Sequence, residues 1–183
     1  MISDLIVAAL AACDGAAFDS RDRCPSCGNA LSGYDTRTRR FAVIMDENRQ
    51  RTIRVRVRRF SCSACRQILN ADEPFYPGTR IGSPVIDLCV TLGRAMRPGR
   101  VSATLAAMGI IVDRWSIRNY TRQGFFAVPS MQMFGMELPV SVVMLSTTAA
   151  GLRGGHRLEP ADILTACRFP SLHARPPGPS KEP

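Results

Sequence analysis

The clearest hydropathy pattern in the chain is the alternation Ile53-Arg54-Val55-Arg56-Val57-Arg58. Successive side chains of a strand point to opposite faces, so Ile53, Val55 and Val57 fall on one side and Arg54, Arg56 and Arg58 on the other. This predicts a half-buried strand with guanidinium groups about 7 Å apart along its polar face. Upstream, Phe41–Met45 predicts a second strand and Ala30–Tyr34 a short one, with Asp46-Glu47-Asn48-Arg49 a turn by composition. Together these make a long β-ribbon.

Outside the ribbon the period changes to that of helices. Ser3–Cys13 starts with a capping serine and an acid in the first turn, is apolar nearly all round, and stops at Gly15. Ser83-Pro84 opens a helix whose stripe includes Val85, Ile86, Leu88, Cys89, Leu92 and Met96, with Pro98-Gly99 as its stop. Ser102 caps a short second helix to Met108, ended by Gly109. Asp113 caps a third, Arg114–Gln123, with Val112 and Ile117 spaced as a hydrophobic staple. On that third helix Ile117 and Tyr120 face the core, Arg114, Arg118, Asn119, Arg122 and Gln123 face out, and Trp115 is expected to be a partly buried wedge. The run from Met136 to Ser146 reads as a strand. Three helices with a glycine turn before an Arg/Asn-bearing third helix read as a helix-turn-helix unit, since arginine and asparagine are side chains that fork onto guanine and adenine edges in a major groove. A small helical bundle with no DNA role is the alternative.

Composition sharpens the picture. The formal charge is +9, and of 24 basic residues only Lys181 is lysine. Ten arginines against three acids lie between Tyr34 and Asn70. A face that is merely solvated mixes signs more evenly, so the clustering favours a polyanionic partner. The longest apolar run, Leu138–Ala150, is short and interrupted by serine and threonine, which predicts no membrane span. Apolar residues 125–150 and the N-terminal helix offer surfaces for a contact between copies of the chain.

The seven cysteines carry the most specific chemistry. Cys24-Pro-Ser-Cys27-Gly28 and Cys62-Ser-Ala-Cys65 are two Cys-x2-Cys pairs 34 residues apart, a gap filled by the predicted ribbon. Four thiolates with no open position fit one structural zinc ion held by Cys24, Cys27, Cys62 and Cys65. Two unrelated cysteine pairs, or a single redox motif, are the alternatives. Cys13, Cys89 and Cys167 lie in helix-like apolar patterns and read as buried thiols. So many cysteines without a secretory leader point to a reducing, cytoplasmic setting, nucleoid-associated if DNA is the partner.

The expected class is α+β. Its parts are an N-terminal helix (1–22), a small zinc β-ribbon (23–70), a linker (71–82), a three-helix unit (83–124), a short apolar C-terminal segment (125–168) and a disordered proline-rich tail (169–183). This order resembles the N-terminal DNA-binding part of zinc-ribbon DDE transposases. The Cys-x2-Cys ribbon, the strand ending Arg59-Phe60-Ser61-Cys62 and the Pro/Gly linker carry the likeness. So does the stretch Leu105–Tyr120, with Gly109-Ile110, Val112-Asp113-Arg114 and Ser116-Ile117-Arg118, which is similar to that group's helix-turn-helix. Leu105 stands where such units usually have alanine. The resemblance implies binding of double-stranded DNA through Arg54, Arg56, Arg58, Arg114, Arg118, Asn119 and Arg122. It also implies a downstream RNase H-like domain with three metal-holding carboxylates. After Gly124 only Glu137, Glu159, Asp162 and Glu182 remain, so the expectation is a DNA-binding protein with no catalytic function. A zinc-ribbon adaptor for RNA or protein partners, and a truncated transposase enzyme, are the rival readings.

Overall fold

The computed structural model describes residues 1–123, 128–152 and 157–169. In chain order its elements are α1 (Ile2–Ala12), β1 (Ala17–Phe18), β2 (Leu31–Asp46), β3 (Arg49–Cys62), β4 (Ile68–Asn70), α2 (Ser83–Gly93), α3 (Pro98–Ala107), α4 (Arg114–Arg122), β5 (Ser130–Met133), β6 (Met136–Pro139), α5 (Val140–Ala150) and α6 (Pro160–Ala166). The class is α+β, and no helix among the described residues is long and apolar enough to cross a membrane.

The hairpin of β2 and β3 is the axis of the molecule. Where the sequence predicts two short strands before the turn, β2 is a single strand of 16 residues. Its middle, Asp35–Arg40, has no apolar rhythm, yet Thr36, Thr38 and Arg40 pair with Arg58, Arg56 and Arg54. The patterned strand β3 holds this polar stretch by satisfying its backbone, and irregularities in register at Gly33/Asp35 and Arg40/Ala42 flank it. Glu47 and Asn48 turn the hairpin with both residues at positive φ, 44° and 64°, which matches the strand twist as primed two-residue turns do. On the other edge of β3 lie β1, parallel, and β4, antiparallel.

The apolar face of β3 lies in the interior as predicted: Ile53, Val55 and Val57 are buried and belong to one continuous core with Ile6 and Leu10 of α1, Ile86 and Leu88 of α2, Leu105 of α3, Ile117 of α4, Leu145 of α5 and Ile163 of α6. Burial of each such side chain contributes about 1.5–3 kcal/mol relative to exposure. Residues 71–82 are packed into this core through Phe75, Tyr76 and Ile81. The Phe75 ring meets Phe41 edge-on at 6.0 Å, and the Arg39 guanidinium lies over its face at 3.8 Å.

The helices differ from expectation in detail. Pro98 does not stop α2, which ends at Gly93; it is instead the first residue of α3. Proline suits that place because its missing N–H is an orphan donor there anyway. Beyond α4, residues 136–146 are strand only as far as Pro139, where β6 ends and α5 begins. Helix α5 packs against α1, α2 and α6, and an apolar run covered on several sides carries no periodicity by which to tell helix from strand. Helix α1 therefore lies against α5. The predicted disordered tail falls, after Phe169, outside the described residues.

One buried carboxylate joins two of these elements and the segment 71–82. Asp87 of α2, 3 % exposed, accepts hydrogen bonds from the Tyr76 hydroxyl and from Ser141 of α5, each at 2.5 Å. Burial pushes its carboxyl up to about 6 against the pull of both donors.

Candidate metal centre and nucleic-acid interface

The two cysteine pairs sit at the open end of the hairpin, where β2 begins and β3 ends. Each folds into the same knuckle. The Gly28 N–H donates to the Cys24 carbonyl and the Arg66 N–H to the Cys62 carbonyl, both at 2.8 Å. The Cys24 and Cys62 N–H groups donate to the carbonyls of Asn29 and Gln67, both at 3.0 Å. Gly28 and Arg66 close the two turns at positive φ, 72° and 58°; glycine meets that demand without strain, arginine with some. The Ser26 hydroxyl ties the knuckles together by donating to Gln67 Oε1 at 2.7 Å.

This brings the Sγ atoms of Cys24, Cys27, Cys62 and Cys65 within 4.8 Å of one another. The pairs Cys24/Cys65 and Cys27/Cys62 stand 3.5 and 3.4 Å apart. Tetrahedral ligation with metal–sulfur bonds of about 2.3 Å places sulfurs about 3.8 Å apart, so the donor set and its span suit a four-coordinate structural metal. The electrostatics agree. The Asn29 N–H groups draw the Cys27 thiol down to about 6, whereas Cys65, despite a backbone N–H from Gln67, is pushed up to about 12 by burial and by the other three sulfurs. Four thiolates in one place need a cation between them. A metal bound there would cross-link two loops that share few buried apolar side chains. Cys13, Cys89 and Cys167 lie elsewhere and are buried.

The arginine row runs along β3 from this centre. Arg54, Arg56 and Arg58 are exposed, and none forms an ion pair among the described residues. Their neighbours do: Arg39 pairs with Glu73 at 2.6 Å, Arg51 with Asp14 and Asp46 at 2.9 and 3.1 Å, and Arg59 holds Asp35 with both arms of its fork. Asp35 and Asp46 of the ribbon are thus taken up by side chains other than the row. Arg40, directly across the ladder from Arg54, extends the row onto β2, a residue that sequence reasoning missed because the strand there was not legible.

Toward the far end of the hairpin, beyond the row, β2 meets the segment that leads into α4. The connection between α3 and α4 is stitched to β2: the Met45 N–H donates to the Gly109 carbonyl at 2.8 Å, and the Ile111 N–H to the Val43 carbonyl at 2.9 Å. Gly109 turns at φ 80°. Asp113 then caps α4, accepting from the Ser116 N–H at 2.9 Å and the Ser116 hydroxyl at 2.6 Å. Both staple residues, Val112 and Ile117, are buried, as is Tyr120. The phenol of Tyr120, pushed up chiefly by burial, also feels the charges of Arg40 and Arg80. Tyr120 of α4 therefore lies within electrostatic reach of Arg40.

The outer side of α4 presents Arg114, Arg118, Asn119 and Arg122, all exposed and without ion pairs among the described residues. Trp115 departs from expectation. It is 61 % exposed, not a wedge in the core, and the Arg118 guanidinium stands 5.8 Å from its ring. Pro98, Arg114, Trp115 and Arg118 line a concavity of about 330 Å³. Three comparisons, with protein-family models, with curated proteins and with solved structures, found no match for this chain.

Proposed function

We propose that this protein binds double-stranded DNA, with a structural zinc ion at the four-cysteine centre, the β3 arginine row on phosphates and α4 on base edges. The observation that carries the reading is the charge left over on the ribbon. Arg39, Arg51 and Arg59 hold nearby carboxylates, while Arg54, Arg56 and Arg58, like Arg37, Arg40, Arg49 and Arg66, form no ion pair among the described residues, and the first three stand in a row along one exposed strand. A polyanion with a regular charge repeat is the partner that such a row fits. The row offers charge without base-shaped recognition, so its part is to fix position. Helix α4, with its exposed Arg118, Asn119 and Trp115, has the side chains for groove readout, as the third helix of a helix-turn-helix does. Zinc, when bound, would supply a cross-link at the open end of the hairpin. Four ligating cysteines leave it no position for a substrate or water, so that centre is structural; the reading of the whole is a non-cleaving, transposase-like binder acting at the nucleoid.

Duplex binding measured over a salt series tests this. Replacing Arg54, Arg56 and Arg58 together by alanine should weaken binding about equally on all sequences and make the slope of log affinity against log salt shallower by up to about 3. Arg118→Ala or Asn119→Ala should cost about 1–3 kcal/mol on a preferred site selected from random duplexes, with little loss on random DNA. Insensitivity to both sets of changes would mean that DNA is the wrong partner.

A further inference from the structure

The metal-proximal end of the arginine face holds a second feature. Ala17, Phe18 and Asp19 on one side and Gly33–Thr36 on the other enclose a concavity of about 440 Å³ that contains Arg56 and Arg58. Its rim carries Tyr34, an aromatic ring 56 % exposed, placed where the β2 register shifts between Gly33 and Asp35. Large rings are seldom left this open on a strand, and this one is steadied: the Arg59 guanidinium lies 5.1 Å from the ring centre and is itself held by Asp35.

Arg58 is also pre-set. A side chain at residue 33 would strike it, because a Cβ built on Gly33 falls 2.5 Å from Arg58 Nη2. Glycine at that place lets the guanidinium lie down on the sheet, 5.5 Å from the Phe60 ring. The concavity thus gathers an open aromatic face, two guanidinium groups without ion pairs among the described residues, and two carboxylates: Asp35, taken up by Arg59, and Asp19, without an ion pair among the described residues. Aromatic face plus phosphate-binding fork is the chemistry that receives a base together with its phosphate, and Asp19 adds an acceptor for a base amino group or a sugar hydroxyl.

We propose that this concavity receives a nucleotide of an unpaired nucleic-acid strand, its base stacked on Tyr34 and its phosphate held by Arg56 and Arg58. The proposal rests on reading the arginine face as a nucleic-acid surface and adds a single-strand site to it. A duplex keeps its bases stacked inside, so Tyr34 has nothing to meet there; a frayed, bent or single strand exposes one.

The test uses the full, metal-loaded chain and fluorescein-labelled oligothymidylate and oligouridylate of about five nucleotides, read by anisotropy, with a duplex measured in parallel. Three variants separate the parts. Tyr34→Phe keeps the ring, Tyr34→Leu removes it, and Gly33→Ala displaces Arg58 without touching Tyr34. Metal content and circular dichroism confirm that each is folded. Wild type and Tyr34→Phe should bind the short strands alike, while Tyr34→Leu weakens binding by about 5- to 100-fold and Gly33→Ala, which makes the Arg58 guanidinium swing aside, weakens it by less. Duplex affinity should be unchanged by Tyr34→Leu. The emission of Trp115 should not respond to the short strand, since Tyr34 lies ten residues along β2 from Ile44, which bridges to Ile110 beside α4, about 33 Å at strand rise. Short strands that fail to bind, that bind Tyr34→Leu as well as wild type, or that change the Trp115 emission would overturn the site. Wild type that binds short strands through Tyr34 but no duplex would uphold it and refute the duplex reading above.

Discussion

Asp87 offers a perturbation whose size follows from the structure. Its carboxyl titrates near 3.8 in an open chain and near 6 in the fold, where burial among α2, Tyr76 and α5 disfavours the charge. The folded state therefore holds its proton over a range in which the unfolded chain has lost it. Stability contributed by this group is present below about pH 4 and falls as pH rises through about 6. The gap of roughly two units corresponds to about 3 kcal/mol. The neighbouring thiols of Cys89 and Cys167 and the Tyr76 phenol are all pushed up, chiefly by burial, so they stay neutral and do not titrate in this window. Asp87→Asn removes the titration; its one oxygen still accepts from one of the two hydroxyls, which donate to different oxygens of Asp87, and the other hydroxyl must turn to accept from the amide N–H. Urea unfolding of both proteins at pH 4 and pH 7 gives a difference of differences in which the other carboxylates and the cysteine cluster cancel. The variant should gain about 2–2.5 kcal/mol on the wild type between those two pH values, since part of the effect is already lost at pH 4, where the open chain is more than half ionised. A pH-independent difference between the two proteins would refute the assignment of that shift to Asp87.

Other consequences are more local. Removing the metal with a chelator should strip hydrogen-exchange protection from the knuckle amides of Cys24, Gly28, Cys62 and Arg66 and fray the polar half of β2. The amides of Ile53 and Val55 and the helices, which share the continuous core, should remain protected. Loss of helical signal on chelation would contradict this. Asp113→Ala should cost about 1 kcal/mol by freeing the α4 cap, a fall in Tm of about 2–4 °C, with Asp113→Asn much closer to wild type.

What was legible in the sequence follows from how local its physical cause is. The Ile/Arg alternation of β3 and the two Cys-x2-Cys knuckles could be read directly, because a period of two and a tetrahedral ligand set impose themselves on neighbouring residues. Asp113 was legible as a cap for the same reason. Asp35–Arg40 was not, since nothing in its own composition favours a strand; its conformation is supplied by pairing with β3 across the hairpin. The run from Met136 to Ser146 misled because its valines suggest a strand, whereas Pro139 can end one element and open the next, and contacts with α1, α2 and α6 decide the outcome. Trp115 was assigned inward on residue type alone, although Ile117 and Tyr120 already occupy the buried side of so short a helix. Arg40 and Tyr34 could be valued only once their cross-strand neighbours were known.

Trp115 also supplies the most direct test of the duplex reading, because it is the one tryptophan in the chain and lies on the exposed side of α4 between Arg114 and Arg118. Titrating duplex DNA into the metal-loaded protein while following its emission and its quenching by neutral acrylamide reports whether α4 meets the duplex. The account predicts a saturable change in emission that follows the anisotropy of labelled duplex, with Trp115 shielded from acrylamide in the complex. A duplex that binds by anisotropy while Trp115 stays as open to quencher as in the free protein would contradict the assignment of base reading to α4.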